Sequence, residues 1–376
     1  DERLDRASPP QPVSAGSAHS AFINVEGTLF TCGRDEEEEE VNGCACLGHG
    51  EDVARLAVPT LVPSLQAVRI RSVSTSDSHT LALSEGGAVF SFGLGAKGQL
   101  GHGDNTSVFV PKQVEALRSV CVAAVSAGGC HSLVLAASGG VWSFGFGYHG
   151  QLGHGDRANC NTPKLIEALQ TRVLSISASP GVGFHSMVLD EHGTVLTFGH
   201  GAHGGNGLLV PTPLPALVAR AISAGYEHNL VLSRDGSVFA FGLNYHGRLG
   251  LGDQENRLTP TRIPGLPAVK AVSAGGAHSL VVTSSGAVYS FGDGESGQLG
   301  HGHIFEEVRA LQPTEIEALR GVGACKVAAG AAHSLVAASD GRVFGFGYGE
   351  DATLGLGLTA HQPLPLEYPH LKVKPR

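Results

Sequence analysis

Tryptophan and methionine are nearly absent from this chain, one of each in 376 residues, and charged side chains make up only 16% of it. No run of 18 apolar residues occurs, which excludes a membrane-spanning helix. No stretch sustains a 3.6-residue apolar period between caps, which excludes a helical bundle. The seven cysteines lack paired spacing, so a disulfide framework is excluded and a reducing compartment, cytoplasm or nucleus, is expected. A net charge of −9 excludes a general binder of nucleic-acid backbone, which needs clustered Lys and Arg. The same charge suits a basic partner. The first residues lack the apolar core of a secretory leader. The chain starts at Asp1 rather than at methionine, so a segment of a longer protein is expected.

What the chain has in excess is glycine, 54 residues, together with 19 prolines, which implies many tight turns. Seven of the glycines lie 14 residues after a histidine: His19 and Gly33, His79 and Gly93, His131 and Gly145, His185 and Gly199, His228 and Gly242, His278 and Gly292, His333 and Gly347. Phenylalanine precedes six of them and Cys32 the first. The offset is constant, while successive histidines are 60, 52, 54, 43, 50 and 55 residues apart. A rigid unit on elastic connections is a structural repeat.

In the sixth copy an apolar run around His278 to Val282 meets the turn Ser284-Ser285-Gly286, and a second run follows from Ala287 to Phe291. Two apolar runs about a glycine turn predict a β-hairpin. Both runs are apolar at consecutive positions, so both faces should be covered. Units that cannot bury their own faces must stack on neighbours. Seven four-stranded units arranged radially predict an all-β, seven-bladed β-propeller, one domain over residues 1–376. The chain enters at residues 12–16, late in the spacer that precedes a histidine, and leaves through 364–374, early in that spacer. A blade sharing strands from both termini is therefore expected to clamp the ring. Residues 114–117 and 166–169 look helical only locally and are read as turns.

Other motifs dissolve into the repeat. Gly93-Leu-Gly95-Ala-Lys-Gly98, Gly145-Phe-Gly147-Tyr-His-Gly150 and Gly292-Asp-Gly294-Glu-Ser-Gly297 match a dinucleotide fingerprint. That fingerprint needs a helix N-terminus for the pyrophosphate, whereas Gln-Leu-Gly-His-Gly follows here, so no cofactor is expected. The repeat histidines, with His49, His102, His154 and His301 in the Leu-Gly-His-Gly phrase, occur at most once per blade and cannot converge on one metal. They read as structural, a ring nitrogen bonding backbone groups at a blade's turn. Cys32, Cys44, Cys46 and His49 share the first blade, but their Cys-Xaa-Cys step lacks the two-residue gap usual around zinc, and no metal is expected.

Three phrases recur in one order across the chain: Ser273-Ala-Gly-Gly-Ala-His278-Ser-Leu280, Gly286-Ala-Val-Tyr-Ser-Phe291-Gly292 and Gly297-Gln-Leu-Gly-His-Gly302. With them the chain resembles the regulator of chromosome condensation repeat family over essentially its whole length. The resemblance implies seven blades and a protein-interaction scaffold, alone or within a ubiquitin ligase or signalling protein. The family's founding member promotes nucleotide release from the small GTPase Ran and docks on nucleosomes, using acidic and histidine side chains before the repeat histidines and a protruding β-wedge. Here only Glu227 is an acid immediately before a repeat histidine, Asp77 lies two before, and no insertion has the length of a wedge. The family's plant ultraviolet-B receptor carries Gly-Trp-Arg-His phrases; the matching places read Gly225-Tyr-Glu-His228 and Gly275-Gly-Ala-His278, which excludes light sensing. The usual tryptophan before the repeat glycine is Phe or Cys throughout. In the fourth copy Gly204-Gly-Asn-Gly207 replaces Gln-Leu-Gly-His, and a trimmed or frayed blade is expected.

Function is then sought where the repeats differ. Just before the repeat histidines, Phe184, Tyr226 and Glu227 are bulky on consecutive blades; with Asp77 they form the candidate partner-binding set. A second candidate is the acidic run Asp35, Glu36, Glu37, Glu38, Glu39 and Glu40, in a loop stretched to 14 residues from Gly33 to Leu47 where most other blades use seven. It suits a histone tail or polybasic peptide and would act through association rate and salt dependence. No Ser-His-Asp set or carboxylate pair stands out from the repeat. The reading is a monomeric, non-enzymatic scaffold whose partner is a small GTPase, a histone or a ubiquitin-pathway protein, with nucleotide exchange on a Ran-like GTPase as the alternative.

Overall fold

The computed structural model describes residues 11–34, 46–200, 207–214, 217–304 and 308–374. Within it the fixed offset of 14 is one antiparallel hairpin. His278 lies directly opposite Gly292, and His333 lies opposite Gly347 in the same way. The other five copies pair their histidine and glycine identically. In copy six the strands His278–Thr283 and Val288–Asp293 meet at Gly286, whose φ is 90°. Glycine is required at the far end too. At Gly292 φ is 107°, and a Cβ there would stand 2.5 Å from the Ala277 carbonyl oxygen; at Gly347 φ is 109° and the Ala332 carbonyl oxygen would be 2.6 Å away. No L-residue tolerates such contacts, so these positions require glycine.

A strand on either side completes each unit, giving seven four-stranded antiparallel sheets of consecutive strands. Blades 1 to 7 span residues 13–61, 70–113, 122–165, 173–213, 219–262, 269–315 and 324–372. The first strands line a central channel of about 600 Å³. The second strands are buried at every position, as in His131–Ala136, whereas the fourth strands are half exposed, as in Val108–Gln113. Both-face coverage thus holds for the inner hairpin and not for the outer strand. Residues 115–117 form one 3-10 turn, and among the described residues no helix is long and apolar enough to cross a membrane.

The core lies between blades rather than within them. One cluster joins Leu133, Leu135 and Val141 of blade 3 to Val173, Val188 and Phe198 of blade 4. The phenylalanines before the repeat glycines, Phe92, Phe144, Phe198, Phe241, Phe291 and Phe346, are all fully buried. Blade 1 has Cys32 instead, and there Phe22 and the C-terminal Tyr368 fill the space, their ring centroids 5.1 Å apart.

Two expectations change. Blade 4 is not trimmed: Leu208–Pro213 pairs with Val195–Gly199 in the ordinary register, and the shortening falls in the connection between them. Nor does any blade mix strands from both ends among the described residues. Blade 1 begins at its innermost strand and blade 7 ends at its outermost, Gln362–Lys372. The ring closes by contact instead, through the amide of Ala331 to Gly16 (3.1 Å), the amide of Val25 to Lys372 (3.2 Å) and a single bridge between Asn24 and Val373.

Candidate interaction face

Because each repeat histidine faces its glycine, the loops before the histidines and after the glycines emerge on one side of the ring, the histidine face. The histidines themselves do not line it. Each is buried, and its Nε2 reaches a polar side chain on the next blade: His19 to Thr80 (2.9 Å), His79 to Ser132 (2.8 Å), His131 to Ser186 (2.8 Å), His185 to Asn229 (2.7 Å), His228 to Ser279 (2.8 Å), His278 to Ser334 (2.8 Å) and His333 to Ser20 (2.9 Å). The hydroxyls donate onward to backbone carbonyls, as Ser334 does to Gln298 at 2.8 Å, so Nε2 carries the proton and is the donor. At each Nε2 the partner is the neighbouring blade's side chain rather than a backbone group at a turn of the same blade. Burial holds the ring of His19 down to about 4 and those of His79, His131, His278 and His333 down to about 3. All five are neutral at physiological pH.

The mouth of the channel on this face is closed by a feature the sequence shows only on counting. Three residues separate the end of the first strand from the histidine in six blades, whereas blade 4 has six, Ser179-Pro-Gly-Val-Gly-Phe184. The extra residues reach across the axis, where Pro180 accepts the amide of Asp77 in blade 2 at 3.2 Å. Tyr226 of blade 5 crosses as well. Its hydroxyl donates to Asp77 Oδ1 at 2.5 Å and lies 3.4 Å from Ser17 of blade 1. Burial and the Asp77 carboxylate push that phenol well above its ordinary range. Tyr226 and Asp77 are thus committed to each other as a plug.

Phe184 and Glu227 sit apart from that plug. Glu227 lies 3.8 Å from Arg248. Phe184, held at φ 43°, stacks on His149 at 4.7 Å and meets Phe146 edge-on at 5.7 Å. Tyr148 stacks on Phe146 at 6.2 Å and is 59% exposed, and His200 adjoins His149. Arg157 lies 6.0 Å from the Tyr148 ring centroid. This aromatic cluster, at the seam of blades 3 and 4, contains one predicted residue and four that were missed.

Four of the seams obey a rule: the residue four after a repeat glycine meets the residue one after the next blade's glycine. Lys97 lies 5.7 Å from the Phe146 ring, the rings of His149 and His200 are 5.4 Å apart, His246 Nδ1 is 3.9 Å from Asp293 Oδ1, and Asp351, four after Gly347, pairs with Arg34 at 3.2 Å. These two columns vary in chemistry while the hairpin between them repeats.

The remaining candidates resolve simply. His49 bonds Thr31 at 3.0 Å, as His102, His154 and His301 bond serines of their own blades. Burial raises the Cys32 thiol, which donates to the Thr353 carbonyl at 3.7 Å. Cys44 and the acidic run from Asp35 to Glu40 lie outside the described residues.

A ring of blades pinned blade to blade by buried histidines, with its variable side chains on one rim, defines a repeat scaffold of the β-propeller class. The RCC1-like domain model matches residues 182–374, and the regulator of chromosome condensation (RCC1) repeat matches residues 26–83, 86–135 and 138–189. The chain belongs to the RCC1 repeat family. It is 33% identical over 364 residues to the ultraviolet-B receptor UVR8 of Arabidopsis thaliana, covering 96% of this chain and 70% of that protein. It is 32% identical over 273 residues to the E3 ubiquitin-protein ligase HERC2 of Mus musculus, 69% of this chain and 6% of that much longer protein. Among solved structures, Prp20p from Saccharomyces cerevisiae superposes with a TM-score of 0.80 at 24% identity, over 92% of this chain and 87% of that one. Human WBSCR16 gives 0.73 at 22% identity, over 86% and 92%. At these identities the structural likeness is one of fold.

Proposed function

We propose that this chain is a non-enzymatic protein-binding module that works through its histidine face. The observation that carries the reading is the cluster of Phe146, Tyr148, His149, Phe184 and His200, partly exposed and bordered by Lys97 and Arg157. Aromatic rings gathered at a rim beside arginine have the composition of an interface hot spot. The two cations select a partner segment that carries carboxylates next to an apolar anchor. The occurrence of a matching segment in a ubiquitin ligase supports a recognition role inside a larger protein. The thiols of Cys32 and Cys121 are free, in keeping with action in the cytoplasm or nucleus.

The test is a quantitative pull-down with wild type beside Tyr148→Ala/Phe184→Ala/His200→Ala, and with Tyr245→Ala, at another seam, as the control. Loss of specific partners from the triple variant alone supports the reading, and an unchanged partner list refutes it. Prp20p is described with binding to Gsp1p and histones. Accelerated nucleotide release from a small GTPase on adding this chain would favour exchange activity instead.

A further inference from the structure

We propose that the seam between blades 5 and 6 is a divalent transition-metal site, with Zn²⁺ the best-matched ion, held by His246, Asp293 and Glu295. The three side chains each present one ligand atom, and those atoms all lie within 4.8 Å of one another. They come from two blades. His246 stands four residues after Gly242, and Asp293 and Glu295 stand one and three after Gly292, so the site is one instance of the seam rule.

Two features separate this seam from the others. His246 Nδ1 and Asp293 Oδ1 face each other at 3.9 Å, too far for a hydrogen bond, and both atoms are closed to solvent without a hydrogen-bond partner. Buried polar atoms left this way are exceptions that call for an explanation, and an ion between them satisfies both. The carboxylate is also oriented from behind. Gln298 Nε2 donates to Asp293 Oδ2 at 2.8 Å, which leaves Oδ1 turned to the gap in the manner of an outer-shell partner at a metal centre. At two other seams the same columns hold Lys97 with Phe146 and Asp351 with Arg34, pairs with no use for a cation between them.

The donor set fixes the class of ion. One imidazole nitrogen and two carboxylate oxygens suit Zn²⁺ and its neighbours better than Ca²⁺ or Mg²⁺, which prefer oxygen alone. Three protein ligands leave a coordination position open to water or to a partner's side chain. One charge opposes the ion: Arg248 is near enough for its guanidinium to interact with Asp293. Its hydrogen bonds go to the Tyr245 and Gly276 carbonyls at 3.0 and 3.2 Å, and Glu227 balances it at 3.8 Å. Its effect is to weaken affinity rather than to occupy the gap. The proposal stands independently of the protein-binding reading.

Calorimetric titration of the chelator-stripped chain with Zn²⁺, repeated with Ca²⁺, provides the test, beside His246→Gln, Asp293→Asn and Glu295→Gln. Absorbance of the Co²⁺ complex supplies a second readout. Expected are one Zn²⁺ site whose affinity falls at least tenfold in His246→Gln and Asp293→Asn, a Co²⁺ spectrum that is lost with it, and weaker binding in Glu295→Gln. Glu295 lies at the surface and the His246 side chain is partly exposed, so their variants keep the test sound even if Asp293→Asn folds poorly. Absence of Zn²⁺ binding overturns the proposal. So does equal affinity in all variants, which assigns the ion to other histidines or cysteines, and so does a preference for Ca²⁺.

Discussion

Acid should open this propeller above the pH at which its carboxylates titrate. His19 is held to about 4 and His79, His131, His278 and His333 to about 3, each by burial, against about 6.5 in the unfolded chain. Below about pH 6.5 the unfolded chain therefore binds more protons than the folded one, and stability falls as pH falls. Above that value both states are neutral at these rings and the effect vanishes. At about pH 5 each ring costs about 2 kcal/mol, and the five together about 10 kcal/mol, relative to about pH 7.5. That is comparable to the whole stability of an ordinary domain, about 5–15 kcal/mol. The assay is urea unfolding across that range, with His278→Gln beside wild type. The variant lacks one titrating ring, so its pH-induced loss should be smaller by about 2 kcal/mol, whatever its stability at neutral pH. A wild-type loss under about 2 kcal/mol over this range would refute the reasoning, because rings that protonate in place cannot be pinned as described.

Further outcomes follow from other contacts. Ser334→Ala leaves the proton on His278 Nε2 without an acceptor and should cost about 2 kcal/mol in the same unfolding assay. Phe291→Ala empties a fully buried position between blades 5 and 6 and should cost about 4 kcal/mol. Tyr226→Phe removes the bond to Asp77 that plugs the channel mouth; a loss of about 1.5 kcal/mol is expected with partner capture intact, and lost capture at unchanged stability would return Tyr226 to the binding surface.

The hairpin is legible because its physics is local. A histidine and a glycine that pair across a tight turn must keep their spacing, so Gly347 follows His333 at the same interval as Gly33 follows His19. Loop lengths carry no such constraint, which is why the short fourth copy reads as a damaged blade when its strands are intact. Ring closure is misjudged for a related reason: the position of the ends within a repeat does not say which strand is innermost. The candidate site is legible only in part. Phe184 stands out by size, but its neighbours Phe146, Tyr148 and His149 lie in the next loop column and become adjacent only when blades 3 and 4 stack. Tyr226 and Asp77 sit in blades 5 and 2, and nothing in the local sequence reports that a phenol spans the axis to reach a carboxylate.

The ring that His333 and Ser20 complete is a split washer. The bond across the gap, 2.9 Å, matches those at the other seams, but there alone no peptide linker backs it. Tension applied through segments attached at the two ends would bear directly on that joint and spread blade 7 from blade 1 before any blade came apart. The amides of Val25 and Ala331, which bridge the gap, would then be the first to exchange with solvent. A propeller that weaves one blade from both ends hides its break inside a sheet; among the described residues this one leaves it at an edge, where whatever is joined to the termini can feel it.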